Sequence, residues 1–401
     1  MDIVGAISDA LKASFDMFWE VFWPLVLGFA LSAAVQAVAS HRSMARLVGD
    51  DSPRSLSFAA LFGVASSSCS YASVALARSI FRKGASFTSA MVFQLASTNL
   101  VIELGIILVV LMGWSFAAAE FAGGLIMIVL IALIFRLTLT PKLIDAAHRQ
   151  AERGAMGRME GHADMDMSVT GGSLWARLTS TRGFTAISHY FVMDWASVWT
   201  DIVLGFLIAG ALEAWVPSQF WRDFFLTGNP TWAKIEGPLV GPLVAIVSFV
   251  CSVGNVPLAA VLWRGGISFG GVVSFIFADL IVLPVLDIYR RYYGGRVMLY
   301  ILVTFYATMA IAGYVVELLF GALDIVPTDR RIEVMTHGPS WNYTTVLNIV
   351  FLAVAVVLGW RFLSTGGPMM LRMMNQPAEA MEHHDDTTSP HAQHAQEKRG
   401  A

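Results

Sequence analysis

The sequence predicts an all-α membrane protein with several membrane spans, built from two inverted repeats and one additional C-terminal span. The 401-residue chain is 56% hydrophobic and only 14% charged, whereas soluble domains carry roughly 25% charged residues. Several apolar runs reach the length of about 20 residues that a helix needs to cross a bilayer. A polar stretch around Cys69 also recurs around Cys251 in the same register. We therefore expect a polytopic, repeated membrane protein.

Seven apolar segments are predicted to span the bilayer, at about 17–39, 85–111, 116–139, 188–215, 267–289, 297–322 and 343–363. Aromatic side chains such as Trp19, Trp341 and Trp360 stand near the ends of the first and last segments. Trp and Tyr concentrate at membrane–water interfaces, which fits these positions. Two further apolar stretches, 56–81 and 236–263, are each interrupted by polar residues around a cysteine.

The chain contains an internal repeat. The segment "CSYASVALARSIFRKGASFTSAMVFQLA" (69–96) aligns without gaps on "CSVGNVPLAAVLWRGGISFGGVVSFIFA" (251–278), with 11 of 28 positions identical at an offset of 182. Repeated halves are typical of secondary transporters, whose substrate site lies at the repeat interface near mid-membrane. We divide the chain into repeat 1 (1–139), a polar cytoplasmic loop (140–187), repeat 2 (188–322), the extra span (343–363) and a disordered Met- and His-rich tail (364–401).

The distribution of basic residues predicts that 56–81 (hairpin 1) and 236–263 (hairpin 2) are re-entrant. If both stretches span the bilayer, the 26 Lys and Arg divide 14 to 12 between the two sides. If both enter and leave on one side, the division becomes 20 to 6. Basic residues near span ends favour the cytoplasm, so the second arrangement is preferred. Each half then has three spans and the halves are inverted, with hairpin 1 entering from the cytoplasm and hairpin 2 from outside.

The hairpin tips are predicted to meet near the bilayer centre. Non-helical backbone at that depth is tolerated only where protein or a water-filled cavity covers it. Gly254, Asn255 and Pro257 break the helix of hairpin 2. In hairpin 1, serines can satisfy the freed backbone groups, namely Ser66, Ser67, Ser68, Ser70 and Ser73.

The residue types at the hairpin tips predict the binding of a soft metal ion. Cysteine sulfur selects soft ions such as Cu(I) and also binds zinc, so Cys69 and Cys251 are the predicted metal ligands. Ionisable groups inside spans are costly and indicate function, so Asp279 and Glu103 are predicted to couple transport to an ion gradient. The predicted substrate-binding residues are Cys69, Cys251, Ser68, Ser70, Asn255 and Asp279.

Other features narrow the function without fixing the substrate. No GxxxxGK[ST] loop is present, so ATP-driven transport by this chain alone is not expected. We expect no cofactor and no nucleic-acid partner, but a small inorganic or organometallic substrate and the lipid bilayer. Whether the chain forms a homo-oligomer stays open. So does the question of whether loop 159–168 and the His-rich tail capture metal or are solvated segments.

The two cysteine repeats resemble the ArsP-like predicted permease family, bacterial permeases linked to organoarsenical and Cu/Zn-type efflux. The resemblance covers roughly 17–320 and is strongest in the second copy, which keeps Cys251, Gly254, Pro257, Gly266, Asp279 and Pro284. The first copy has Ala72 and Ala75 where the family commonly has a Gly and a Pro. The resemblance implies efflux across the bacterial inner membrane by a multi-pass permease.

We expect an ion-gradient-driven permease that exports a thiophilic metal or metalloid, of the Cu/Zn or trivalent arsenical type. Three alternatives remain at this stage. One is a transporter of a sulfur-containing anion or thiol metabolite. Another is an intramembrane thiol–disulfide enzyme, which the absence of a CxxC pair disfavours. The third is a scaffold subunit without transport, for which broken helices at membrane depth would be a needless cost.

Overall fold

The fold is known from a computed structural model, which describes residues 3–38, 48–67, 70–153, 167, 169, 173–216, 230–248, 252–330 and 340–374. The regular secondary structure of these residues is entirely helical, as the sequence predicts. The helices are, in chain order, α1 Ile3–Val38, α2 Pro53–Ser66, α3 Ser70–Arg82, α4 Phe87–Asn99, α5 Ile102–Met112, α6 Trp114–Thr138, α7 Pro141–Arg153, α8 Leu174–Thr179, α9 Thr181–Trp215, α10 Pro230–Ser248, α11 Ser252–Gly265, α12 Phe269–Phe277, a 3₁₀ turn Ala278–Ile281, α13 Leu283–Tyr293, α14 Gly295–Ala322, α15 Tyr343–Ser364 and α16 Gly367–Met374.

Five helical segments among the described residues are long and apolar enough to cross a membrane, and a bent pair makes a sixth. The five are Val4–Val38, Phe87–Met112, Trp114–Thr138, Gly295–Ala322 and Tyr343–Ser364. The bent pair joins Phe269–Ile281 to Leu283–Tyr293 at an angle of 41°. In α9 the apolar part is Ile202–Trp215, so a complete span at 188–215 stays a prediction.

Three predicted boundaries differ from the structure. The first span was placed at 17–39, but α1 begins at Ile3, because the polar residues of its first turns do not break the helix. The predicted loop 140–187 contains α7, α8 and the start of α9. The predicted tail 364–401 begins with the short helix α16. Its remainder, 375–401, lies outside the described residues.

The two halves share their order of elements. With the offset of 182, α3 corresponds to α11, α4 to α12 with its 3₁₀ turn, α5 to α13 and α6 to α14. Gly84 and Gly266 occupy the same repeat position and both have positive φ, +106° and +114°. Glycine adopts this conformation without the steric penalty of a side chain. The opposite orientation of the two halves in a bilayer stays a prediction.

In the first half, the chain between residues 50 and 86 folds back on itself. The backbone N–H of Ser86 donates to the carbonyl of Val48 (3.1 Å), and Ser89 Oγ donates to the carbonyl of Asp50 (2.9 Å). The start of α2 and the end of α3 therefore lie at the same end of α4. This segment contains the predicted hairpin 1.

In the second half, α10 runs parallel to α12. Gly237 lies against Gly271, and four residues later Gly241 lies against Phe275. Because α11 leads through the turn at Gly266 into the start of α12, α10 and α11 also turn back on one another. This segment contains the predicted hairpin 2.

The remaining helices enclose these segments. The first helices of the halves, α1 and α9, pack against each other, as do α6 and α14. The amphipathic α7 packs on α3 and α13. There the buried Arg78 donates to the carbonyl of Ala151 (2.6 Å), and Phe81 stacks on His148 at 4.0 Å. In the described residues, α7 thus covers the end of α3 that faces away from the tip of hairpin 1.

Replacing Gly63 by alanine should destabilise the protein. A Cβ at Gly63 would stand 2.8 Å from Ala96 Cβ and would overlap the carbonyl oxygen of Phe93. Overpacking of this kind typically costs about 1–3 kcal/mol, which exceeds the gain of about 1 kcal/mol for Ala over Gly in a helix. We expect a lower midpoint of thermal unfolding for Gly63→Ala, measured by intrinsic fluorescence in detergent.

Gly359→Ala is the matched control, because a Cβ at Gly359 meets nothing within 4 Å. It should leave the midpoint unchanged or raise it. A higher midpoint for Gly63→Ala would contradict the close packing of α2 on α4.

Candidate functional site

Asp279 lies where the tips of the two hairpin segments meet. Its carboxyl group is fully buried, and Oδ2 accepts hydrogen bonds from Ser70 Oγ (2.6 Å) and Ser252 Oγ (2.7 Å). The two hydroxyl oxygens are 3.3 Å apart. Ser70 and Ser252 occupy the same position of the repeat, so equivalent residues of both halves bind one carboxyl group.

Broken helices bring these groups together. Ser70 and Ser252 are the first residues of α3 and α11, and the N-terminus of a helix carries partial positive charge that favours a nearby carboxylate. Asp279 itself stands in the 3₁₀ turn between α12 and α13. Val282, between this turn and α13, has extended backbone (φ −64°, ψ 150°), and Pro284 in the first turn of α13 has no N–H to bond the preceding turn. The site thus lies at the start of two helices and at the break between two others. The expectation that Gly254, Asn255 and Pro257 break the helix of hairpin 2 is wrong, because all three lie inside α11.

Three of the six predicted substrate-binding residues, Ser68, Cys69 and Cys251, lie outside the described residues. In the sequence, Cys69 immediately precedes Ser70 and Cys251 immediately precedes Ser252. Ligation of metal by the two cysteines stays a prediction. Among the residues that the structure does describe, no group of three or more His, Cys, Asp or Glu could hold a metal ion.

Asn255 and Asn99 lie in the buried surroundings of the site. Asn255, a predicted substrate contact, is fully buried and its Oδ1 accepts a hydrogen bond from Ser248 Oγ (3.4 Å). Its Nδ2 has no partner among the described residues, and one turn of α11 separates it from Ser252. Asn99, the last residue of α4, interacts through its side chain with Asp279. Asn99 thus interacts with the carboxyl group directly, whereas Asn255 lies one turn beyond a serine that binds it.

Glu103, the second predicted coupling residue, belongs to a separate polar cluster. Its side chain packs directly against Gly28 of α1 and accepts a hydrogen bond from Ser67 Oγ (3.3 Å). It also interacts electrostatically with Asp194 of α9, to which Gln36 donates a hydrogen bond (3.0 Å). The structure therefore places the two predicted coupling residues in different environments.

Ser67 has an unusual backbone at the end of α2. Its φ is +34°, a region that residues other than glycine seldom adopt. Two hydrogen bonds accompany this conformation: the Ser67 carbonyl accepts from Ser32 Oγ (2.7 Å), and the Ser67 hydroxyl donates to Glu103. The tip of hairpin 1 is thereby tied to α1 and α5. Strained backbone of this kind often marks a functional site.

Glu120 is a functional candidate that the sequence analysis does not single out. It stands on α6, is fully buried, and interacts electrostatically with Asp279. Neither of its carboxyl oxygens has a hydrogen-bond partner in the described part of the chain. The signal was available, because Glu120 is the only acidic residue in the predicted span 116–139, and lone acids in spans indicate function.

The structure describes little of the two polar segments that were considered for metal capture. In loop 159–168 only Met167 is described, and there its backbone N–H donates to the hydroxyl of Tyr190 (2.9 Å). The His-rich part of the tail lies outside the described residues. Metal capture by either segment stays a prediction.

Comparison with known proteins gives one family and one close relative. The sequence model of the ArsP_1 family, described as a predicted permease, matches residues 7–318. A protein named "Putative permease Rv2963", from Mycobacterium tuberculosis, is 59% identical over 383 residues, which are 95% of this chain and 94% of the relative. No solved structure matches.

Replacing Ser252 by alanine should weaken the contact between the halves. The change removes one of the two hydroxyl donors to Asp279, and a hydrogen bond to a charged group contributes about 1.5–3 kcal/mol. We expect a lower unfolding midpoint for Ser252→Ala. The same change should lower the midpoint by less when it is made in a chain that already carries Asp279→Asn.

Ser274→Ala is the control for that comparison. Ser274 is a buried serine that donates only to a carbonyl of its own helix, that of Gly271 (3.0 Å). Its effect should be the same in both backgrounds. If Ser252→Ala lowers the midpoint equally in the native chain and in the Asp279→Asn chain, the hydrogen bond between Ser252 and Asp279 is contradicted.

Proposed function

Because the chain belongs to the ArsP_1 family of predicted permeases, it is a transporter rather than an enzyme, and we propose that it exports a thiophilic metal ion or metalloid. In this proposal the substrate is of the Cu/Zn or trivalent arsenical type. Export takes place across the bacterial inner membrane and uses the energy of an ion gradient. The substrate binds at the meeting point of the two hairpin tips.

The contact of Ser70 and Ser252 with Asp279 carries this proposal. It joins the start of α3, the start of α11 and the break between α12 and α13 at one buried point. Irregular backbone in the membrane persists only where it is covered by protein or lines a cavity. Transporters place their substrate sites at such breaks, at the interface of the repeats.

The residues beside this point suit a soft cation. Cys69 and Cys251 each precede a serine that binds Asp279, and thiolates are the protein ligands that bind Cu(I), zinc and comparable soft centres best. A helix N-terminus also favours the thiolate form of a nearby cysteine. Asp279 adds a carboxyl group, which can balance the charge of a cation. The proposed substrate therefore meets two sulfur ligands and one carboxyl group.

The repeat supports an alternating-access mechanism. In the inverted arrangement predicted from the charge distribution, hairpin 1 opens toward the cytoplasm and hairpin 2 toward the outside. The 3.3 Å contact between Ser70 and Ser252 then corresponds to a state in which both tips are closed on Asp279. Movement of one tip away from Asp279 would expose the site to one side only.

A second candidate substrate is a sulfur-containing anion or thiol metabolite. The observation that favours it is the pair of helix N-termini at the site, which attract anions. The buried Asp279 at the same point opposes it, because a second negative charge would be repelled there. We therefore prefer the cation.

Replacing Cys251 by serine should abolish most export of the true substrate. Serine keeps the size and polarity of the side chain but supplies a hard oxygen in place of a soft sulfur ligand. We expect cells that express the Cys251→Ser chain to lose resistance to one of copper, zinc or trivalent arsenicals and to accumulate it, as measured by elemental analysis. Cys69→Ser should have the same direction of effect.

Ser274→Ala, a buried serine away from the tips, serves as the control and should retain resistance. Unchanged resistance and accumulation for all three substances in Cys251→Ser cells would sink the metal and metalloid proposal. Uptake of a thiol metabolite that depends on Cys251 in sulfur-limited cells would support the second candidate.

Replacing Asp279 by asparagine should separate transport from its driving gradient. Asparagine is nearly the same size but can neither gain nor lose a proton. In liposomes that contain the purified chain, we expect flux of the substrate down its own gradient to be slower, because the cation loses its carboxyl ligand, and to become independent of an imposed pH gradient. Flux that responds to the pH gradient as in the native chain would show that Asp279 is not the coupling group.

A further inference from the structure

Histidine and methionine side chains meet where α9, α15 and α16 pack together. His189 of α9 is 5% exposed, and its Nδ1 lies 2.9 Å from Sδ of Met370 in α16. Beside them Met193 and Phe362 are buried, and both Met370 and Met167 pack against these two residues. We name His189, Met167, Met193 and Met370 the His–Met cluster. It combines one imidazole with three thioether groups.

The turn between α15 and α16 brings Met370 to His189. Gly366 in this turn has a φ of +85°, which glycine adopts without the steric penalty of a side chain. A Cβ at Gly367 would overlap the ring of Phe362, so the absence of a side chain there lets α16 fold back on the end of α15. Two consecutive glycines thus build the cluster from residues that are far apart in the sequence.

The hydrogen bonds of His189 assign its tautomer. The hydroxyl of Thr365 donates to the carbonyl of Arg361 (2.7 Å), so the same hydroxyl accepts from Nε2–H of His189 (2.7 Å). A buried imidazole is costly to charge, so its single ring proton stays on Nε2. The lone pair of Nδ1 therefore faces the sulfur of Met370, and no hydrogen lies between the two atoms.

A soft cation is the ligand that fits this arrangement. Methionine by itself often fills a core, but core packing does not account for a nitrogen lone pair turned toward a sulfur lone pair. Thioether groups select Cu(I), and imidazole binds copper as well. A histidine that binds metal almost always donates its other ring N–H to a fixed acceptor, and Thr365 is such an acceptor for His189.

The charges around the cluster favour a monovalent ion. Imidazole and thioether ligands are neutral, so they do not offset the charge of a bound cation. Arg361 donates to Thr185 Oγ1 (2.9 Å) and acts electrostatically on His189. Its positive charge repels a divalent ion about twice as strongly as a monovalent one. Cu(I) therefore fits the site better than zinc does.

Polar side chains connect the cluster to hairpin 1. Asp194, which follows Met193 in α9, accepts a hydrogen bond from Gln36 (3.0 Å). Gln36 also donates to Ser32 Oγ (3.0 Å), and Ser32 donates to the carbonyl of Ser67 (2.7 Å). A cation that leaves the cluster thus finds oxygen atoms along α1 up to the residue where α2 ends.

We propose that the His–Met cluster binds a monovalent soft cation, Cu(I) or its analogue Ag(I), and delivers it to the tip of hairpin 1. In the arrangement predicted from the charge distribution, the loop 140–187 is cytoplasmic, and both Met167 and the start of α9 belong to it. The cluster then collects the ion on the cytoplasmic side. This delivery rests on the proposed function, whereas binding of the ion does not.

Silver binding by the purified full chain tests the site. The measurement uses a chain with Cys69→Ser and Cys251→Ser, so that thiolates at the tips do not contribute, and determines bound Ag(I) by equilibrium dialysis and elemental analysis. Met370→Leu removes the sulfur but nearly conserves the volume of the side chain. We expect it to raise the dissociation constant at least about tenfold, the loss that changes beside a metal ligand already cause. His189→Gln should have an effect in the same direction.

Met127→Leu is the matched control, because Met127 is a fully buried methionine of α6; it should leave silver binding unchanged. Each variant is first checked for an unfolding midpoint like that of its parent chain. Folded Met370→Leu and His189→Gln chains that bind Ag(I) as tightly as their parent would overturn the proposal.

X-ray absorption of the same parent chain, loaded with Cu(I) under reducing conditions, provides an independent readout. We expect sulfur and imidazole nitrogen around the metal, with less sulfur in Met370→Leu and less imidazole in His189→Gln. A metal environment without sulfur in the parent chain would also overturn the proposal.

These measurements separate the two proposals. If Ag(I) binding depends on Met370 and His189 but none of the tested metals or metalloids is exported, the site stands and only the proposed function fails. If export depends on Cys251 while Met370→Leu changes neither silver binding nor resistance, the His–Met site fails and the transport function stands.

Discussion

The joint binding of Asp279 by Ser70 and Ser252 is the interaction on which the rest of the structure depends. A buried carboxyl group needs donors, and here the donors come from equivalent residues of the two repeats. Each serine can reach Asp279 only because its helix begins at that point. The contact therefore coincides with the ends of the hairpin segments. Its strength depends on the charge of one side chain, that of Asp279. In the proposed function, protonation of Asp279 or the binding of a cation would change the strength of that contact.

The ends of the broken helices also leave backbone carbonyl groups that need hydrogen-bond donors. Where α2 ends, the carbonyl groups of Ser66 and Ser67 accept hydrogen bonds from Ser32 of α1 (3.0 and 2.7 Å). Where α4 ends, Asn99 donates to the carbonyl of Leu95 one turn earlier (3.3 Å). At the end of α2, a polar side chain of the continuous helix α1 thus binds the carbonyl groups that the interrupted helix leaves free, whereas Asn99 bonds within α4 itself. Because Ser32 is hydrogen-bonded to the end of α2, movement of the tip of hairpin 1 requires α1 to release these bonds.

Much of this architecture could be predicted from the sequence, because its signals are periodic and local. Apolar runs predict the spans, and the repeated cysteine motif predicts corresponding helices such as α3 and α11. Asp279 could be identified because an acid inside an apolar run is rare. The separation of Glu103 from Asp279 could not be predicted, since it depends on which face of α5 packs on α1. For Glu120 the sequence shows a lone acid, but only the fold shows that α6 packs, at Gly123 and Gly124, on the helix ends beside Asp279.

The two repeats are unequal in the ionisable groups that they place near the site. The position that corresponds to Asp279 in the first half is Ser97, whose hydroxyl donates to the carbonyl of Gln94 (2.9 Å). Conversely, the position that corresponds to Glu120 in the second half is Leu302. Each half therefore contributes one carboxyl group, at different points of the repeat, instead of two symmetric pairs.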